Sequence, residues 1–101
     1  MDKKEYALSF IDRINKEESD GLFKFFTRNT VIVFLEDFKE ISVPDFVAYC
    51  KENYLNKDIK IKRVLESKVC VKIEFYLEEK ENSFLIEVKE RRIKRLEIMN
   101  A

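Results

Sequence analysis

Val69-Cys70-Val71-Lys72-Ile73-Glu74-Phe75-Tyr76-Leu77 is the stretch from which the rest of the chain can be read. Every odd position is apolar, and Cys70, Lys72, Glu74 and Tyr76 alternate with them. Strand side chains point to opposite faces in turn, so the pattern describes a β-strand with one apolar and one polar face. An apolar sheet face needs a partner. Residues 3–18 supply it as a helix in which Tyr6, Phe10 and Ile14 recur every four positions, flanked by Ala7 and Ile11.

Around this pair the other elements fall into order. Ser19-Asp20-Gly21 breaks the first helix, with Ser19 or Asp20 as a cap for the next. The dense run Leu22, Phe23, Phe25, Phe26 reads as a short second helix ending near Arg28-Asn29. Thr30–Leu35 is a β-branched and aromatic strand, apolar on both faces, and Phe38–Ile41 a short return strand. Ser42-Val43-Pro44-Asp45 starts a third helix, with Ser42 as N-cap and Asp45 as its capping-box partner. That helix carries Phe46, Val47, Cys50 and Tyr54 on one face and ends around Asn56.

The remaining residues are all β: a strand from Ile59 to Glu66, a turn at Ser67-Lys68, the opening strand, a loop at Glu78–Asn82, a strand with Phe84, Ile86 and Val88, a turn at Lys89–Arg92 and a last strand with Ile93, Leu96 and Ile98. The change of phase between Ile93 and Leu96 predicts a β-bulge. Helices precede a meander instead of alternating with strands, so the class is α+β: an antiparallel sheet wrapped around N-terminal helices, in the order α-α-β-(β)-α-β-β-β-β.

Composition sets the bounds. The 101 residues make a single domain, 46% hydrophobic and with nine Phe, ample for one core. Twenty basic residues balance twenty acidic ones, which argues against a general nucleic-acid or membrane-surface binder. No apolar run approaches a membrane span, nothing marks the chain for export, and Cys50 and Cys70 read as reduced structural thiols, so the expectation is a cytoplasmic protein. With no histidine and no glycine-rich loop, His-based catalysis, a metal site and a phosphate cradle have no candidates, and no cofactor is expected.

The chain resembles the nuclear-transport-factor-2-like (NTF2-like, SnoaL-like, cystatin-like α+β) superfamily. The resemblance lies in the opening amphipathic helix, in Asp20–Phe26 running into Thr30–Phe34, in the lead-in Phe38–Phe46 to the third helix, and in the closing Arg92–Ile98. It implies a cone with a pocket at its open end, often in a homodimer. Enzymes of this fold place a general-base Asp, or an Asp–His pair, in the cone; the steroid-isomerase base would fall near Phe34, which is apolar here.

Three functions fit these residues. The first is a non-catalytic homodimer, joined through its sheet face, with a small apolar ligand in the cone against Tyr6, Phe10, Phe26, Phe34, Phe46, Tyr49, Ile73 and Phe75. The same rings could instead fill the cone. The second is a small isomerase, lyase or cyclase using Glu36 or Asp37 as base beside a tyrosine such as Tyr49. The third is a module reading an acidic partner through the basic cluster Lys89, Arg91, Arg92, Lys94 and Arg95, with Lys60, Lys62 and Arg63 nearby.

Overall fold

The computed structural model describes residues 2–16 and 19–100, with the side chains of Ser19 and Asp20 left out. The caps read at Ser19 and Asp20 therefore lie outside what is described, and the first helix, expected over residues 3–18, ends earlier, at Ile14 with Asn15 as its C-cap. Helix α1 spans Lys3–Ile14. Asp2 caps it, its carboxylate accepting from the Glu5 N–H at 2.8 Å. Ala7, Phe10, Ile11 and Ile14 are buried, the stripe expected from the spacing. Its far end is tied to the end of the other helix: Asn15 Nδ2 donates to the Lys57 carbonyl, and the Asn56 N–H donates to the Asn15 carbonyl.

The second predicted helix is a 3₁₀ segment over Ser19–Phe25, and strand β1 begins at once, spanning Phe26–Phe34. The strand thus starts four residues earlier than propensity suggested. Strand β2 is Lys39–Ile41, and helix α2 is Val43–Asn53. The Ser42 hydroxyl caps α2 by accepting from the Asp45 N–H at 3.2 Å. Helix α2 is shorter than the sequence reading by one turn, with Tyr54 as its C-cap, and Phe46, Val47, Cys50 and Tyr54 are buried.

Strands β3 (Ile59–Glu66), β4 (Cys70–Leu77), β5 (Lys80–Lys89) and β6 (Arg92–Asn100) form the meander. The sheet order is β2-β1-β6-β5-β4-β3. It is mixed, because β1 runs parallel to β6 while every other pair is antiparallel. The wholly antiparallel sheet expected from the meander is corrected in this one pairing: β6 has to serve both as the return of β5 and as the neighbour of β1.

On β4, Val71, Ile73 and Phe75 are fully buried, with Leu77 partly so. Val69 does not join them. It is 53% exposed and sits in the turn, where the Ser67 N–H donates to the Cys70 carbonyl and the Ser67 hydroxyl accepts from the Cys70 N–H. Both later hairpins are tighter than expected. Leu77 pairs with Lys80 and Lys89 with Arg92, leaving only Glu78-Glu79 and Glu90-Arg91 as loops, all four at positive φ. That is the geometry of type I′ turns, normally supplied by Asn and Gly.

Three irregularities bend the sheet. Lys94 is an extra residue of β6, between Ile93 paired with Val88 and Arg95 paired with Glu87, where the phase change placed a bulge. Opposite it, β1 leaves Thr27–Thr30 out of register; the Thr30 hydroxyl fills the gap, donating to the Ile93 carbonyl at 2.6 Å and accepting from the Thr27 N–H at 2.9 Å. The third is Lys62, a single extra residue in β3. The helices pack on one face of the sheet, α1 against β4 and β5 and α2 against β1.

Candidate functional site

The eight residues expected to line a pocket divide into three groups. Phe10, Phe26, Phe46, Ile73 and Phe75 pack into the core. Phe10 meets Phe26 edge-on at 5.6 Å between centroids and stacks on Phe46 at 6.1 Å. Phe84 joins this group, against Phe75 at 5.1 Å and Phe46 at 6.4 Å. Edge-to-face rings at these separations interlock with little free space, so these side chains occupy the interior in which the ligand was expected.

Tyr6 lies elsewhere, in a cleft of about 340 Å³ with Asp2, Lys3, Val88, Arg91 and Arg92. Its hydroxyl donates to the Phe25 carbonyl at 3.3 Å. Burial raises its pKa, with Arg92 pulling the other way.

Phe34 and Tyr49 are brought together, and with them both candidate carboxylates. A cleft of about 600 Å³ opens where β1 and β6 end beside α2, lined by Phe34, Ile41, Tyr49, Ile98 and Asn100 with Glu36, Asp37, Lys39, Glu40, Asp45, Ala48 and Glu52. The two rings meet edge-on at 4.9 Å. Asn100 Nδ2 donates to the Tyr49 hydroxyl at 2.9 Å, fixing that ring at the floor. The local structure follows from three short segments. Phe34 is the last residue of β1 and pairs with Ile98 and Lys39. Glu36 and Asp37 sit in the turn to β2, where an Asp37 carboxylate oxygen accepts from the Lys39 N–H at 3.2 Å. Asp45, Ala48, Tyr49 and Glu52 are three or four residues apart and so share one face of α2.

Of α2 the sequence reading named Tyr49 but missed Asp45, Ala48 and Glu52, and it missed the β6 end. The helical spacing of Asp45, Ala48 and Glu52 was the available signal; nothing local pointed to Ile98 or Asn100, which arrive through the parallel pairing of β6 with β1.

Behind the floor lies a polar anomaly. The Tyr54 ring packs against Tyr49 at 5.5 Å and is 1% exposed, and among the described residues its hydroxyl has no partner at hydrogen-bond geometry. Burial, then Tyr49 and Cys50, push its pKa up. Cys50 is also buried, which raises its thiol pKa and keeps it protonated. The basic cluster is divided: Lys94 pairs with Glu87 at 3.6 Å and Arg95 with Glu97 at 2.7 Å, while Arg91 and Arg92 line the cleft at Tyr6. Among the described residues no three His, Cys, Asp or Glu side chains are placed to hold a metal ion, and no helix is long and apolar enough to cross a membrane.

No family model and no curated protein matches the chain. Solved structures do. An NTF2-like protein of unknown function from Cytophaga hutchinsonii superposes with a TM-score of 0.78 at 13% identity, over 100% of this chain and 91% of that one. A SnoaL-like protein of unknown function from Burkholderia thailandensis gives 0.80 at 12% identity, over 97% and 93%. A protein with a ketosteroid isomerase-like fold from Catenulispora acidiphila, in complex with trimethylamine, gives 0.73 at 11% identity, over 93% and 83%. The fold is therefore the NTF2-like one, as the resemblance implied.

Proposed function

We propose that the protein is a non-catalytic NTF2-like binding module that takes a small organic ligand in the mouth cleft, against Phe34, Tyr49 and Ile98. The observation that carries this reading is the contrast between an interior packed with phenylalanines and an open cleft of about 600 Å³ at its end. A concave site with an apolar floor and a few fixed polar groups is what small-molecule recognition needs. The trimethylamine held by the Catenulispora acidiphila protein supports a small ligand for a chain of this fold. Glu36 and Asp37 stand on an exposed turn, open to water instead of enclosed with a substrate. The protonated Cys50 thiol is a poor nucleophile.

Ala48 is an exposed lining residue, so Ala48→Phe fills the cleft without disturbing the core. In a fragment screen followed by amide NMR, hits should move the signals of Phe34, Tyr49 and Ile98, and Ala48→Phe should abolish those shifts. Hits confined to Phe10 and Phe75, or indifferent to Ala48→Phe, would refute the site.

The reading includes a homodimer through the outer sheet face. Leu65, Leu85 and Val33 lie in one row across the strands there, and Leu65 and Met99 are exposed. Light scattering should give twice the 12.2 kDa chain mass, and a single-chain mass at high concentration would exclude it.

A further inference from the structure

We infer that the ligand of the mouth cleft is an organic cation, an amine or quaternary ammonium with a compact apolar body; this rests on the cleft being the binding site. The lining holds five carboxylates, Glu36, Asp37, Glu40, Asp45 and Glu52, against one cation, Lys39. Among the described residues, none of the ion pairs involves these carboxylates, whereas the carboxylates of strands β3 to β6 are paired. A cleft lined by one sign of charge between low-dielectric walls focuses the field and raises the local concentration of the opposite ion.

A second feature, independent of the charge, gives the cation its form. The floor is aromatic: Phe34 and Tyr49 both line the cleft and meet edge-on at its base. Ring faces attract a cation within about 6 Å of the centroid, and quaternary ammonium groups are the ions that exploit this. A metal ion needs carboxylates within ligating reach of one point, and no such group of three exists among the described residues. The carboxylates are spread around the rim instead, which suits a charge diffused over several methyl groups.

Amide NMR titrations of the full chain would use three probes of one shape: choline, the neutral alcohol in which carbon replaces its nitrogen, and the carboxylate that the same alcohol yields on oxidation. Choline should move Phe34, Tyr49 and Ile98 and bind about tenfold tighter than the alcohol, as expected for several exposed charge contacts acting together with the rings. The carboxylate should be excluded. Glu36→Gln combined with Glu52→Gln should erase most of the choline preference and leave the alcohol's affinity unchanged; a circular-dichroism melt checks that the double variant is folded. Equal affinity for choline and the alcohol would overturn the cation and spare the cleft. If no probe moves those amides while a fragment does, the cation again falls alone; if nothing binds there, both fall.

Discussion

The outer face of the sheet and the mouth cleft are both rich in carboxylates, yet they treat them in opposite ways. On the sheet, Glu74 meets Arg63 at 2.6 Å and Lys72 at 3.9 Å, Glu81 pairs with Lys62, and Glu87 and Glu97 take Lys94 and Arg95. At the mouth, five carboxylates share one lysine. A chain with no net charge thus combines a neutralised wall with an acidic opening, and the balance sheet of the whole says nothing about either.

The largest expected effect removes what both regions rest on. Phe84 is fully buried between Phe10, Phe46, Tyr54 and Phe75. Phe84→Ala should cost about 3–5 kcal/mol in urea unfolding, and a loss under about 1 kcal/mol would mean the interior is looser than described.

Next is the underside of the mouth. Tyr54→Phe deletes a buried hydroxyl that has no partner among the described residues, and should raise stability by about 1 kcal/mol. A clear loss would reveal a bond that the hydroxyl makes.

The wall's hairpins come third. Glu79 sits at φ 73° in a two-residue turn. Glu79→Gly relieves a left-handed backbone at the cost of a more flexible unfolded chain, for a net gain of about 0.5–1 kcal/mol; an unchanged melting point would show that the turn is unstrained.

The smallest effect tests the comparison itself. Arg63, through its hydrogen bond and its charge, with Lys72 and Lys62 adding, holds the Glu74 carboxyl below its usual range. Its contribution is present above the ordinary carboxylate pKa and is lost as pH falls through the lowered one. Glu74→Gln should therefore lower the melting temperature slightly at neutral pH and flatten the acid limb of stability, while Glu36→Gln should leave it level or raise it. Equal responses from the two sites would dissolve the distinction between wall and mouth.

What the sequence disclosed was local. The alternation through Ile73 and Phe75 found the inner face of β4, and the phase change from Ile93 to Leu96 found a bulge. The same signal stood unread in β3, where apolar positions pass from Ile61 to Val64 around Lys62. Val69 fits the alternation but belongs to a turn, because period alone does not say where a strand begins. The two hairpins are tighter than the loop at Glu78–Asn82 and the turn at Lys89–Arg92 that the sequence suggests, and nothing local signals it. Glu and Arg are poor residues for positive φ, and the chain holds a single Gly, at position 21, far from either turn. The cleft was only half legible. Phe34, Tyr49, Glu36 and Asp37 could be named as candidates, but what joins them to Ile98 and Asn100 is a pairing across some sixty residues of chain.

That pairing has a consequence for how the molecule comes into being. Strand β6 lies between β1 and β5, and the Thr30 hydroxyl reaches the Ile93 carbonyl across 63 positions. Until β6 docks, the β1–β2 hairpin has no strand joining it to the meander, and β1 and β5 each expose an edge. During synthesis the earliest strand therefore waits for the latest, and the two half-sheets are open to pairing with other nascent chains in the interval. The cleft, whose lining joins β1, β2 and α2 to Ile98 and Asn100 of β6, is completed at that final step.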